Sequence, residues 1–144
     1  MRDWISEMRC HTKHIQGLID EGRHDEAWNS IGDYQSWCYE RISAEEHDAD
    51  YAGTLLSTAE TFFIRILKKE ERWHEMLIHT IYKCSSDSRN LKSHYRDVVA
   101  AFRRCKYKDA DEADAVALFE QIGNRTFRGA EDFLEIRDTV AKWS

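Results

Sequence analysis

Between Tyr51 and Leu67, the apolar residues Ala52, Leu55, Leu56, Ala59, Phe62, Phe63, Ile64, Ile66 and Leu67 are spaced so that a helix built from them is apolar around most of its circumference. A surface helix shows one apolar stripe, whereas a helix apolar on most sides needs neighbours on most sides. This stretch therefore predicts a central helix with the remaining chain packed about it. No proline interrupts the sequence on either side, so helix can follow helix without rigid breaks. An all-α fold of about seven helices is expected, arranged as antiparallel hairpins in a bundle or short superhelical array with a carboxy-terminal capping helix. The length of 144 residues suits a single domain spanning 1–144 with its own core.

Periodicity places the elements. Trp4, Met8, His11, Ile15 and Leu18 form one stripe of a first helix over about Asp3 to Asp20, which Gly22 ends. Asp25 and Glu26 open a second helix running to about Ser43, with Ala27, Ile31, Tyr34, Cys38 and Ile42 inward and Trp28 and Trp37 widening the face. Asp48 or Asp50 is placed to cap the central helix. At Lys68 to Glu71 the apolar character stops; a turn there, followed by Trp73, Met76, Leu77, Ile81 and Cys84 on a fourth helix, is favoured over one helix continuing to Tyr82. Ser85 to Ser88 marks a boundary. A fifth helix, about Arg89 to Lys106, buries Leu91, Tyr95, Val98, Phe102 and Cys105. A sixth carries Ala113, Val116, Ala117 and Ile122 and stops at Gly123-Asn124. Thr126 or Gly129 starts a seventh, which buries Ala130, Phe133, Leu134, Val140 and Ala141.

No apolar run approaches the roughly 20 residues that cross a bilayer, and Asp3 and Glu7 break the amino terminus early. A soluble, cytosolic protein without a signal peptide is expected. Cys10, Cys38, Cys84 and Cys105 form no CxxC pair and fall inside helical patterns, so they read as buried free thiols.

The residues Leu18-Ile19-Asp20-Glu21-Gly22-Arg23-His24-Asp25-Glu26-Ala27 resemble the turn of a tetratricopeptide repeat: a first-helix end, a glycine turn and a second-helix alanine. Leu67 to Leu77 and Phe102 to Ala110 are similar in outline, with Met76 and Ala110 in the place of Ala27. Met76 and Ala110 are 34 positions apart, the family's period, whereas Ala27 and Met76 are 49 apart. Ile15, Ile64 and Val98 stand where the repeat wants a small residue. The resemblance implies stacked hairpins with a concave face for a peptide or partner helix.

Glu7, Cys10, His11 and His14 share one side of the first helix, and Glu7, His11 and His14 make a candidate metal face; a hydrogen-bonded core histidine is the simpler reading of His11. Glu71-Arg72-Trp73-His74 and Glu21-Gly22-Arg23-His24 have the Glu-x-x-His spacing of di-iron bundles, but both lie at turns rather than in mid-helix. Glu60, alone among apolar neighbours, is expected on an exposed edge of the central helix, and Glu45, Glu46, Asp48 and Asp50 are expected to be solvated loop acids. No phosphate loop, nucleophile elbow or cysteine–histidine signature is present. The sequence thus assigns no catalytic residue and implies no cofactor.

Charge is segregated. Residues 83–108 carry 8 basic and 2 acidic side chains, net +6, inside a chain of net −6. Arg89, Lys92, Arg96 and Arg103, extended by Arg104, Lys106 and Lys108, form a basic ridge beside the stripe of the fifth helix. The acidity of the whole chain, and the placement of Tyr95 and Phe102 in the core stripe, argue against nucleic acid; a solvated face balanced by neighbouring acids is the simpler reading of the ridge, and contact with a protein, a peptide or a second copy of the chain is the functional one. The expected function is a protein-interaction module binding through a helical groove or this ridge, as adaptor, chaperone, regulator or neutralising partner. The alternative is a metal-binding bundle using the first helix, with or without catalysis.

Overall fold

A computed structural model describes the backbone of residues 4–44, 49–86 and 91–143 and the side chains of 5–41, 57–86 and 91–143. Seven helices account for all regular structure among the described residues: α1 Trp4–Asp20, α2 His24–Ala44, α3 Ala49–Lys69, α4 Trp73–Ser85, α5 Leu91–Arg103, α6 Glu112–Gly123 and α7 Ala130–Ala141. The expected all-α fold and the break before Trp73 are both present. None of these helices is long and apolar enough to cross a membrane. The expectations resting on an Asp48 or Asp50 cap, on the side chains of Trp4, Ile42, Glu45, Glu46, Ala52, Leu55, Leu56 and Arg89, and on Asp87-Ser88 fall outside the described residues.

Backbone contacts divide the chain into two compact units, Met1–Ile66 and Leu67–Ser144, with the division inside α3. In the first, Ile15, Leu18 and Ile19 of α1 meet Ala27, Ile31, Tyr34 and Cys38 of α2 and Ala59, Phe62, Phe63 and Ile66 of α3. Trp28 packs on Phe63, ring centres 4.4 Å apart. Glu60 lies within this core at 3% exposure, which corrects the exposed-edge expectation. Gln35 Nε2 of α2 reaches its Oε1 at 3.5 Å, so α2 covers the side that the sequence pattern left open.

In the second unit, α4 packs against α5, α6 and α7. Met76, Leu77, Ile78, Ile81, Tyr82 and Cys84 are buried, and so are the polar His79, Thr80 and Ser85. Thr80 satisfies its hydroxyl by donating to the Met76 carbonyl one turn back, 2.7 Å. His79 packs on Phe133 of α7, and Tyr82 on Phe127 and Phe133. α6 begins with a reciprocal capping box: Asp111 Oδ1 accepts from the Asp114 amide at 3.1 Å, and Asp114 Oδ2 accepts from the Asp111 amide at 2.9 Å.

Several expected core positions are solvated instead. Leu91 is 54% and Leu134 44% exposed, and Ala130 and Ala141 also face water. The reason on α7 is Asp132, which is fully buried and, with Ile136 and Val140, defines the inward stripe at intervals of four. Asp132 Oδ2 accepts from the Arg128 amide (2.6 Å), and its Oδ1 from Arg128 Nε (3.0 Å) and Arg125 Nη2 (2.9 Å). Arg125 also pairs with Glu135. Burial alone would raise the Asp132 carboxyl, but the Arg128 amide and the two guanidiniums outweigh it and hold the group below the ordinary carboxylate value. Gly129, before α7, has φ 64° and ψ −125°, a conformation open essentially to glycine.

The cysteines are not uniformly buried: Cys38 and Cys84 are, Cys105 is half-buried, and Cys10 is exposed on α1, where the expectation of a buried thiol fails. Desolvation pushes the Cys38 thiol up to about 11.

Two helix-to-helix turns are built alike. The Arg23 amide donates to the Leu18 carbonyl (2.9 Å) and Gly22 to Ile19 (3.0 Å); the Arg72 amide donates to Leu67 (2.9 Å) and Glu71 to Lys68 (3.1 Å). Both are Schellman closures with a left-handed residue, φ 76° at Gly22 and 55° at Glu71. The following arginine clasps an acid on each side: Arg23 binds Glu21 at 3.0 Å and also Glu26, and Arg72 binds Glu70 at 2.9 Å and also Glu75. The turn after α5 differs, its Arg104 and Cys105 amides returning to Ala101 and Phe102 in tight three-residue closures.

The two turns predict opposite outcomes for two substitutions. Gly22→Ala should destabilise by about 1 kcal/mol, while Glu71→Gly should be neutral or stabilising by up to about 1 kcal/mol, since only the second relieves left-handed strain; denaturant midpoints of both variants check this. At Asp132 the folded-state pKa is depressed, so its stabilisation is complete above the ordinary aspartate value of about 3.9 and is lost as pH falls through the lower folded value. Asp132→Asn should cost about 1–3 kcal/mol at neutral pH and flatten the acid limb of a melting-temperature profile below about pH 4.

Candidate partner-binding face

The α5 sequence sets its own orientation. Val98, Ala101 and Phe102 are buried with His94, one turn earlier, so residues at angular positions opposite them face water. Lys92, Arg96 and Arg103 recur at intervals of four and seven and therefore lie along one outer line, with Val99 and Ala100 between the two arginines. Tyr95, Arg96, Val99, Ala100 and Arg103 line an open groove of about 460 Å³. Seven residues of helix put the backbones of Arg96 and Arg103 roughly 10 Å apart along the axis.

Neighbouring acids trim this basic face. Arg103 Nε binds Glu112 Oε1 of α6 at 2.6 Å, and this contact raises the guanidinium's affinity for its proton. Tyr95 Oη donates to Glu120 Oε1 at 2.7 Å, which holds the phenol proton above its ordinary range. The Tyr95 ring meets Phe119 edge-on at 5.2 Å. Lys92 and Arg96 make no ion pair among the described residues.

Arg104 and Lys106 of the sequence-predicted ridge turn elsewhere. Arg104 lies over the Trp73 ring of α4 at 5.0 Å. With His74, Cys105, Lys106 and Tyr107, this pair lines a separate open recess of about 600 Å³. His74 Nδ1 and Tyr107 Oη are 2.9 Å apart, and burial pushes the Tyr107 phenol well up. The sequence thus found the basic residues but not their division into two surfaces, because α5 ends at Arg103, and Arg104 and Cys105 continue in a tighter turn, their amides returning to Ala101 and Phe102. Arg89 lies outside the described residues.

On α1, the candidate metal donors part company. Glu7 Oε2 accepts from the Trp37 indole at 2.9 Å, and the His11 ring packs against Tyr34 and Trp37, centroids 5.6 and 5.2 Å away. His14 and Cys10 face solvent. The aromatic residues of α2 that fill the space beside Glu7 and His11 are visible in sequence only as a widened apolar face. Both Glu-x-x-His copies sit at the two equivalent turns, with Glu21 and Glu71 exposed.

A different donor group, of which the sequence marks only Cys84 and that as a buried thiol, lies between α4 and α5. Cys84, His94 and Asp97 bring one ligand atom each to within 4.8 Å of one another. His94 and Asp97 are three apart on one helix, a local signal available in sequence; Cys84, ten residues from His94, joins them only through the packing of α4 on α5.

No family model, no curated protein and no solved structure matches this chain.

Proposed function

We propose that this chain is a protein-interaction module that takes an acidic segment of another protein along the outer groove of α5. The observation that carries this reading is the alternation on that groove: two arginines two turns apart, with Val99 and Ala100 between them. Such a surface complements a segment whose carboxylates flank an apolar residue. Guanidiniums supply bidentate contacts to carboxylates and the apolar floor supplies desolvated area. The net +6 of residues 83–108 favours encounter with an acidic partner.

A nucleic acid is the weaker occupant. Phe102 is buried, and the Tyr95 hydroxyl and ring are engaged by Glu120 and Phe119, so α5 offers no stacking platform. Glu112 and Glu120 border the groove, and a continuous phosphate backbone would run against them, whereas a folded partner or peptide can place its charges between them.

A fluorescein-labelled acidic peptide carrying two glutamates that bracket a leucine provides the probe, followed by anisotropy at low and moderate salt. Binding to the unaltered protein should weaken with salt, and Arg96→Glu combined with Arg103→Glu should lower the affinity about tenfold or more with unchanged circular dichroism. Equal affinity of the double variant overturns the groove as the site. Tighter binding of a single-stranded oligonucleotide than of the peptide overturns the protein partner in favour of nucleic acid.

A further inference from the structure

We infer that Cys84, His94 and Asp97 form a binding site for one zinc-class divalent cation, tying α4 to α5. The three ligand atoms already lie within 4.8 Å of one another. A tetrahedral zinc at ordinary bond lengths places its ligand pairs about 3.3–3.8 Å apart, so closing the site asks for rotamer adjustments of the order of 1 Å and no rearrangement of the helices. His94 and Asp97, one turn apart, project from the same side of α5, and Cys84 faces them from the last turn of α4.

The donor chemistry selects the metal. A thiolate, an imidazole and a carboxylate suit zinc or cobalt, whereas magnesium and calcium demand oxygen ligands throughout. Two anionic donors also neutralise a divalent ion, which matters because Cys84 and His94 are buried. Cys84 Sγ points at the His94 carbonyl oxygen at 4.0 Å as a thiol donor. Metal binding replaces that weak contact: the S–H proton leaves to solvent, the sulfur–metal bond forms, and a neutral His94 binds through a ring nitrogen without losing a proton. Phe119 meets the His94 ring edge-on at 6.2 Å and limits its rotation. Asp97 is exposed, so the fourth coordination position opens to water on its side. This site shares α5 with the proposed groove but none of its lining residues.

The test is a Co²⁺ titration of the chelator-treated, reduced 144-residue chain, read by the thiolate-to-cobalt charge-transfer band and visible d–d absorption. One equivalent should saturate both signals, and Zn²⁺ but not Mg²⁺ should abolish them. Cys84→Ser should remove the charge-transfer band, and Cys10→Ser and Cys105→Ser should retain it. Asp97→Asn, at an exposed position, should weaken Co²⁺ by about a hundredfold or more, beyond the roughly 10- to 100-fold that loss of an outer-sphere partner costs. Absence of the band in the unaltered protein, its survival in Cys84→Ser, or any smaller loss of affinity in Asp97→Asn overturns the site. None of these readouts depends on the α5 groove.

Discussion

The second unit depends on α4 being covered by three helices at once. Nine of its residues between Met76 and Ser85 are buried, so neither a stripe nor a single partner can satisfy it. α5, α6 and α7 each supply part of the cover. Because helix surfaces interdigitate through side chains of fixed rotamer, the side that each neighbour presents inward is decided largely at this contact. The outer lines of those helices follow as a remainder: Lys92, Arg96 and Arg103 face water because Val98, Ala101 and Phe102 do not.

Polar groups sharpen what apolar burial leaves loose. On α7, a stripe chosen by hydrophobicity alone would include Leu134, yet the helix turns Asp132 inward and leaves Leu134 at the surface. A buried carboxylate met by an amide and two guanidiniums has few tolerable alternatives, so it sets the rotation of the helix more stringently than Phe133 or Leu134 can. Gly129 provides the backbone bend that lets Arg128 reach it. At the start of α6, Asp111 and Asp114 do a related task with the backbone alone, marking one helix end without burying charge.

Much of this architecture was legible in the residues, and the illegible parts share a cause. Helix ends were readable where local chemistry marks them: Gly22, the polar run from Lys68, Gly123-Asn124. Glu60 was misplaced because its cover comes from Gln35, 25 residues away, and no periodicity within α3 reports that. The basic residues of α5 were readable as a ridge, since a helix face is a local property. Their separation from Arg104 was not, because it depends on Trp73 across the packing of the second unit. The histidine face of α1 was visible while its aromatic cover from α2 was not, and Cys84, buried as its pattern implies, acquires two donor neighbours only where α5 lies beside it. In each case the sequence displayed the donors of one helix and hid what a second helix brought to them.

The uneven exposure of the four thiols has a practical consequence for how assembly of this protein is judged. Cys38 and Cys84 are shielded, whereas Cys10 stands on the surface of α1 as an accessible thiol. In air, two chains can join through their Cys10 sulfurs without any complementary surface between them, since an exposed thiolate needs only collision and an oxidant. A dimer that disappears with reductant is then a covalent product of storage, and self-association through a complementary interface is recognised by its persistence when that sulfur is reduced or replaced.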